Sequence, residues 1–324
     1  MSSLAARSTL ASKPDPVPSS LFVNGWFPRR RLLALALGLL AGAILAWLWN
    51  AHLVDQQIGF NSADAMLGRN ANATPLGGVL SGVLFAFATG LAGSFTACNI
   101  AAFGAVGSLV GQVPDRRARF KQALRPIGWL AAGMVPVSAI YGAVVGIAGT
   151  HMPQFSSTPA RPGTLSAGSI QSMTAFGVVG LAMIVFGLAA LGLVRDPLAA
   201  VSRRHPNTPM VVLGVLIGGF LIGRPYPLFR DLFRSAARSH DPLYGAAAFV
   251  LQSAGNIAVM AVLFLVLAGA PGRRLRRWLG TNPVRITLLT AVSFLAAGAF
   301  AVLYWDVRAL SNIGVLWFPH SPWH

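Results

Sequence analysis

Long apolar runs separated by short polar loops dominate this chain. A helix needs about 20 apolar residues to cross the hydrocarbon core of a bilayer. The runs therefore predict seven membrane segments. They are 32–49, 76–112, 127–150, 169–194, 209–223, 242–270 and 286–305.

The first run follows three arginines, a pattern that also begins signal peptides. Its apolar core exceeds the usual 7–15 residues, and no A-x-A cleavage site follows it. We therefore interpret 29–54 as a retained N-terminal transmembrane anchor. Residues 1–28 are rich in Ser, Pro and Ala and predict a disordered tail, and 306–324 predicts a short tail at the other end.

Two segments have unusual lengths. Segment 76–112 is too long for a simple span and is interrupted by the polar residues SFTACN at 94–99. Segment 209–223 is too short, because a helix of that length rises only about 20 Å. It stops at Arg224-Pro225-Tyr226-Pro227, and two prolines within four residues break a helix interior. We expect this break near the membrane midplane, with 228–239 continuing as a second half-helix.

Composition supports an all-α integral membrane protein. Of 324 residues, 55% are hydrophobic and 10% charged, whereas soluble domains carry about 25% charged residues. The net charge of +17 would suggest nucleic acid as a partner of a soluble chain. Here the basic residues cluster between apolar runs, which is typical of loops beside a membrane. The predicted partner is thus the lipid bilayer and not nucleic acid.

The basic clusters also predict the orientation. Most of them lie at 29–31, 116–125, 195–204 and 273–285. Because cytoplasmic loops are enriched in Lys and Arg, this distribution predicts a cytoplasmic N-terminus and an external C-terminus.

After the anchor, the remaining segments form two sets of three, 76–194 and 209–305. An odd number of crossings per set gives the two sets opposite orientations, and each set opens with a broken helix. Paired broken helices in inverted repeats point to a site near the membrane midplane. We therefore predict an anchor helix followed by two inverted three-helix repeats.

The chain has one cysteine, Cys98, and six scattered histidines. It can form no internal disulfide, and no metal-ligand spacing is present. We predict neither a metal site nor a cofactor. Taken alone, a cysteine in an apolar helix is usually a small buried hydrophobe.

The order of these features resembles the CcdA/DsbD family, the cytochrome c biogenesis protein transmembrane region. The stretches that carry the resemblance are SFTACNIAAFG, DRRARFKQALR, IGRPYPLF and SAARSHDPLYGAAAFVLQSAGNI. The resemblance implies a protein of the bacterial inner membrane that transfers reducing equivalents. It also implies Cys98 as the reactive group and a thioredoxin-like or haem-handling protein as partner.

The motifs depart from the family pattern. Ala97 and Ala101 replace the prolines around Cys98, and Arg224 stands where the second cysteine is expected, although Pro227 keeps the following proline. Dithiol and disulfide exchange requires two thiols. The two-cysteine relay is therefore absent, and the chain is at most a thiol-disulfide oxidoreductase-like carrier that uses a partner's thiol.

The alternative function is a small-solute or anion transporter with an arginine-lined site. The candidate substrate-binding residues are Thr96, Asn99, Arg224, Arg230, Arg234 and Arg238. The candidate hinges beside the two breaks are Gly93, Gly223, Pro225 and Pro227. The arginines of 228–239 face either an aqueous cavity or anionic lipid headgroups, with the neighbouring phenylalanines in the bilayer. A third hypothesis is a structural membrane subunit.

Overall fold

The computed structural model describes residues 18–50, 61, 64, 79–92, 116–155, 163–223, 227–269 and 282–319. The regular secondary structure of these residues is helical, apart from one isolated bridge between Ser20 and Val23. The helices are α1 Arg31–Leu48, α2 Val79–Ala92, α3 Arg116–Ala148, α4 Ala167–Ala190, α5 Ala199–Arg204, α6 Thr208–Gly223, α7 Pro227–Ser239, α8 Pro242–Gly269, α9 Pro283–Ala301 and α10 Arg308–Asn312.

Five stretches of helix are long and apolar enough to cross a membrane. They are Arg31–Leu48, Leu124–His151, Ala167–Ala190, Pro242–Val266 and Pro283–Asn312. Two shorter apolar helices, Gly82–Leu91 and Thr208–Gly223, fall in the segments predicted to be broken. In its described part the chain is therefore an all-helical, multi-pass membrane protein.

Two helices extend beyond the apolar runs that predicted them. Helix α3 begins at Arg116, so the basic stretch predicted as a loop is helical. Arg, Lys, Gln and Ala all have high helix propensity, and hydropathy marks only where a helix leaves the lipid. After α9 the helix continues through a π-helical turn, Val302–Val307, into α10. The predicted tail 306–324 therefore begins as helix.

Glycines bring α3 and α6 into backbone contact. A Cβ atom on Gly133 would lie on the carbonyl group of Val211, and a Cβ atom on Gly214 would lie on that of Leu130. Gly218, four residues after Gly214, packs on Met134 and Val137, which follow Leu130 on α3, so the contact advances in the same direction along both helices and α3 and α6 run parallel. Small residues allow such close approach between membrane helices.

Helices α2 and α8 meet in the same manner. A Cβ atom on Gly90 would lie on the carbonyl group of Gln252, and one on Gly255 would lie on that of Phe87. The Tyr244 hydroxyl lies beside Gly82, and these residues precede Gln252 and Gly90 by eight positions each, so α2 and α8 also run parallel.

Two further glycine contacts join antiparallel helices. Gly142 of α3 and Gly245 of α8 each lack room for a Cβ atom because of the other's carbonyl group. Helices α4 and α9 meet at Gly180 and Gly298 in the same way.

These contacts give the bundle two ends. Helix α1 runs parallel to α9, because Gly38 packs on Leu295 and Gly42 packs on Ala299. We call the end where α1 and α9 begin the Arg31 end. We call the opposite end, where α3 finishes and α4 and α8 begin, the Gly149 end.

Residues 18–30 form a strap across the Arg31 end, whereas we predicted disorder up to residue 28. Phe22 and Val23 are buried, and the Phe22 ring lies 5.0 Å from that of Phe294. The Asn24 amide donates to the carbonyl group of Pro283 at 3.2 Å. The prediction followed the average polarity of the tail. It missed the short apolar sequence LFV at 21–23, which packs on the helix bundle.

Candidate functional site

Helix α6 ends inside the bundle. Its residue Gly218 packs on Met134 and Val137 of α3, and its last residue, Gly223, packs on the ring of Phe176 in α4. Because α3 and α6 run parallel, the end of α6 lies at the level of Tyr141. At 1.5 Å per residue, this level is about 10 Å before the end of α3. The chain resumes as helix at Pro227. Residues 224–226, where the break is predicted, lie outside the described residues, so the break stays a prediction; the described helices beside it end at Gly223 and begin at Pro227, in the half of the bundle nearer the Gly149 end.

A cluster of polar side chains surrounds the end of α6. Gln171 donates to the Ile222 carbonyl oxygen at 2.9 Å and to the Tyr141 hydroxyl at 3.0 Å. Gln154 donates to the same carbonyl oxygen, and the Tyr141 hydroxyl donates to the Gln154 side-chain oxygen at 3.2 Å. The last carbonyl groups of a helix have no intrahelical partner, and at membrane depth they need protein donors. These side chains meet that requirement at Ile222.

Helix α7 is amphipathic, and its apolar face is covered by protein. Phe229, Leu232, Phe233, Ala236 and Ala237 are each at most 1% exposed. They pack with residues of α2, α3 and α8, and the Phe229 ring lies 5.3 Å from that of Phe249. The apolar face is therefore part of the protein core.

The far end of α7 reaches the Gly149 end of the bundle. The φ angle of His240 is +50°, in the left-handed region, and this residue ends the turn between α7 and α8. A Cβ atom on Gly149 would lie on the His240 ring and near the Ala237 carbonyl group. Helix α7 thus starts near Tyr141 and continues to the end of α3.

The three arginines occupy the opposite face of α7. Arg230 and Arg238 are exposed, and Arg234 is half-buried. The Arg238 guanidinium lies 5.9 Å from the ring centre of Phe155. The interpretation in which Phe229 and Phe233 enter the bilayer is wrong, because both rings are buried against neighbouring helices. Whether the arginines face water or lipid headgroups stays a prediction.

Several predicted site residues lie outside the described part of the chain. They are Gly93, Thr96, Cys98, Asn99, Arg224 and Pro225. Of the other predicted hinges, Gly223 is the buried last residue of α6 and Pro227 is the first residue of α7. Their hinge roles, and the roles of Cys98 and Arg224, stay predictions.

A second cluster of buried polar side chains lies along α8, which packs on α3 at Ser253 and on α2 at Gln252. Ser138 and Ser253 are both 0% exposed, and their hydroxyl oxygens lie 2.5 Å apart. Thr89 of α2 is also 0% exposed and Asn256 of α8 is 4% exposed. Gln252 is 0% exposed as well, and neither its amide nitrogen nor its amide oxygen has a hydrogen-bond partner.

The sequence interpretation missed most of the first cluster. Gln154 and Gln171 stand near the ends of apolar runs, where single polar residues are common, and Tyr141 is amphipathic. Nothing in their spacing predicts that they meet. Asp306 was also missed, although an acidic residue at the end of an apolar run was visible in the sequence. Its carboxylate lies beside Gly177 of α4, at the π-helical turn.

Among the described residues, no group of three or more His, Cys, Asp or Glu side chains could hold a metal ion. Comparison with protein-family models, curated proteins and solved structures found no match. The resemblance to the CcdA/DsbD family stays a prediction from the sequence.

Proposed function

We propose that this chain is a transporter of a small solute and that the solute passes beside the break between α6 and α7. The observation that carries the proposal is the end of α6 at Gly223 inside the bundle, with polar side chains gathered at the Ile222 carbonyl group. Non-helical backbone at membrane depth is tolerated where protein or a water-filled cavity covers it. Secondary transporters use such broken helices to form their binding sites.

The pattern of helix contacts supports the two inverted repeats that we propose for 76–194 and 209–305. The parallel pair α3 and α6 has its counterpart in the parallel pair α8 and α2. The pairs α3 with α8 and α4 with α9 are antiparallel. A two-fold axis in the membrane plane that relates α3 to α8, α6 to α2 and α4 to α9 accounts for this pattern. It exchanges the two parallel pairs and maps each antiparallel pair onto itself. With the anchor and two broken helices, the proposal gives seven membrane segments.

The two polar clusters supply a path through the half of the bundle nearer the Gly149 end. Ser138 belongs to the midplane cluster and Tyr141 to the cluster at Ile222, and they lie one turn apart on α3. The arginines of α7 lie nearer the Gly149 end, where they would attract anions. The resemblance implies the bacterial inner membrane, and the loop charges favour an orientation with the Arg31 end in the cytoplasm.

Accessibility of single cysteines tests this proposal. In a Cys98→Ser background, cysteines at Ser138, Ser253 and Gln171 should react with a membrane-impermeant thiol reagent in vesicles. A transporter that opens alternately to each side predicts reaction from both sides. Leu295, buried between α1, α4 and α9, is the control and should react from neither side. If the three test positions also remain unreactive from both sides, the proposal is wrong.

A second candidate is the redox carrier implied by the resemblance, with a thioredoxin-like or haem-handling partner. The position of Cys98 favours it, because this cysteine lies in the polar interruption SFTACN that carries the resemblance. Trapping a mixed disulfide at Cys98 in cells supports this candidate. Unchanged activity in Cys98→Ser with loss in Arg224→Ala supports the transporter.

A further inference from the structure

We infer that Gln252 is the recognition group of a midplane binding site for a small, uncharged solute that carries both a hydrogen-bond donor and an acceptor. The inference rests on the proposed transport function for the claim that the bound solute is transported. The location of the site is inferred independently, from the buried and unpaired amide of Gln252.

The amide of Gln252 is an exception in its surroundings. Its side chain is 0% exposed, and neither polar atom has a partner. Its neighbour Ser253 is hydrogen-bonded to Ser138, and Thr89 donates to the Ala86 carbonyl oxygen at 2.7 Å. Buried polar groups are nearly always paired, so one without a partner needs a specific explanation. A ligand that pairs with this amide supplies one.

The position of Gln252 suits a transported solute. Ser138, which contacts the next residue of α8, lies near the middle of the apolar stretch Leu124–His151. Gln252 is therefore close to the centre of the membrane span, where water cannot compensate an unpaired amide. A site at this depth can be reached in turn from each side.

The chemistry of the cluster selects the class of solute. Among the described residues, the cluster contains three hydroxyls and two carboxamides, at Thr89, Ser138, Ser253, Gln252 and Asn256, and no charged side chain. Burying an ion without an opposite charge is much more costly than burying a neutral polar group. The Gln252 amide offers one acceptor oxygen and two donor hydrogens. Acetamide or urea presents the complementary set.

The first experiment measures binding. Purified full-length protein is heated with and without acetamide, and its unfolding temperature is followed by intrinsic fluorescence. We expect Gln252→Leu to raise the unfolding temperature of the solute-free protein, because it removes an unpaired buried amide. We expect acetamide to stabilise the wild type by mass action and not the leucine variant.

The second experiment measures permeation in proteoliposomes by light scattering, with acetamide and urea as neutral probes and nitrate as an anion. Gln252→Leu should reduce acetamide permeation about tenfold, the value of one good hydrogen bond. Gln252→Asn keeps the amide on a shorter side chain and should give an intermediate rate. Val262→Leu, at an exposed position of α8, is the matched control and should behave as wild type.

The outcomes separate the site from the transport function. Stabilisation by acetamide that depends on Gln252, without permeation, supports the site and contradicts transport of this solute class. A leucine variant that folds but is less stable shows that the amide is already paired, by water or protein, and overturns the inference. Absence of any acetamide effect on the unfolding temperature of the wild type also overturns it, and permeation of nitrate but not acetamide contradicts transport of this solute class.

Discussion

The hydroxyl oxygens of Ser138 and Ser253 lie 2.5 Å apart at the crossing of α3 and α8. Ser138 donates to the Met134 carbonyl oxygen at 2.9 Å. Because a hydroxyl has a single hydrogen, Ser253 is the donor and Ser138 the acceptor between the two helices. This bond ties the first proposed repeat to the second, about one turn from the Gly142 contact on α3 and about two turns from the Gly245 contact on α8.

We expect Ser138→Ala to destabilise the protein more than Ser253→Ala, because the first removes two hydrogen bonds and the second removes one. The coupling between the two substitutions should be about 0.6 kcal/mol, the average for hydrogen bonds between membrane helices. A double-mutant cycle in SDS unfolding measures it. If the two single substitutions lower the free energy of unfolding equally and their effects are additive in the double variant, this assignment of donor and acceptor is contradicted.

Gly142→Ala should destabilise the bundle, because the new Cβ atom would collide with the carbonyl group of Gly245. Overpacking of this kind costs about 1–3 kcal/mol. Gly128→Ala on the same helix is the control, since nothing lies within 4 Å of its Cβ position. Alanine at 128 should be neutral or stabilise the helix by up to about 1 kcal/mol. Equal effects of the two substitutions would exclude close packing as the cause.

Gln171→Leu should destabilise the protein by about 1–3 kcal/mol, because it removes donors from the Ile222 carbonyl group and the Tyr141 hydroxyl. Gln154→Leu should cost less, since Gln171 still donates to Ile222. Thr174→Val is the control: its hydroxyl bonds within its own helix, to the Ile170 carbonyl group, and the residue is exposed. Thermal unfolding in detergent ranks the three variants. A loss in Thr174→Val equal to that in Gln171→Leu would show that the cluster at Ile222 has no special role.

Single cysteines along α7 should react according to its two faces. In a Cys98→Ser background, cysteines at Arg230 and Arg238 should react with a charged, impermeant thiol reagent added at the Gly149 end, and one at Arg234 more slowly. Cysteines at Phe229 and Phe233 should stay unreactive because those positions are 1% exposed. Labelling after denaturation confirms that each cysteine is present. Equal reaction at all five positions would mean that α7 is not packed on the bundle.

The described ends of α6 at Gly223 and of α7 at Pro227 lie close to the predicted limits because the signals are local. Two prolines remove backbone hydrogen bonds, and the arginines at four-residue spacing define one face of the next helix. The limits of α3 were less predictable. Its prolines, Pro126 and Pro136, lie inside a helix that continues through both. Neighbouring helices can satisfy the backbone groups that a proline frees in a membrane helix.

The site was harder to predict because its parts are joined by tertiary contacts. Gln154 reaches Ile222 across 68 residues of sequence, and no periodic pattern relates a loop residue to a helix end so far away. Gln252 stands out in the sequence only as a polar residue in an apolar run. Its lack of a partner is a property of the packed helices around it.

The strap across the Arg31 end has a consequence for the order in which the protein is assembled. Asn24 and its partner Pro283 are separated by 259 residues of sequence. The ribosome therefore releases the strap early, while its docking surface on α9 is among the last helical surfaces to be made. Until α9 enters the membrane, Phe22 and Val23 have no complete surface on which to dock. A nascent chain arrested before residue 283 should present an undocked strap, cleavable by an added protease, so docking of the strap marks the completion of the whole bundle.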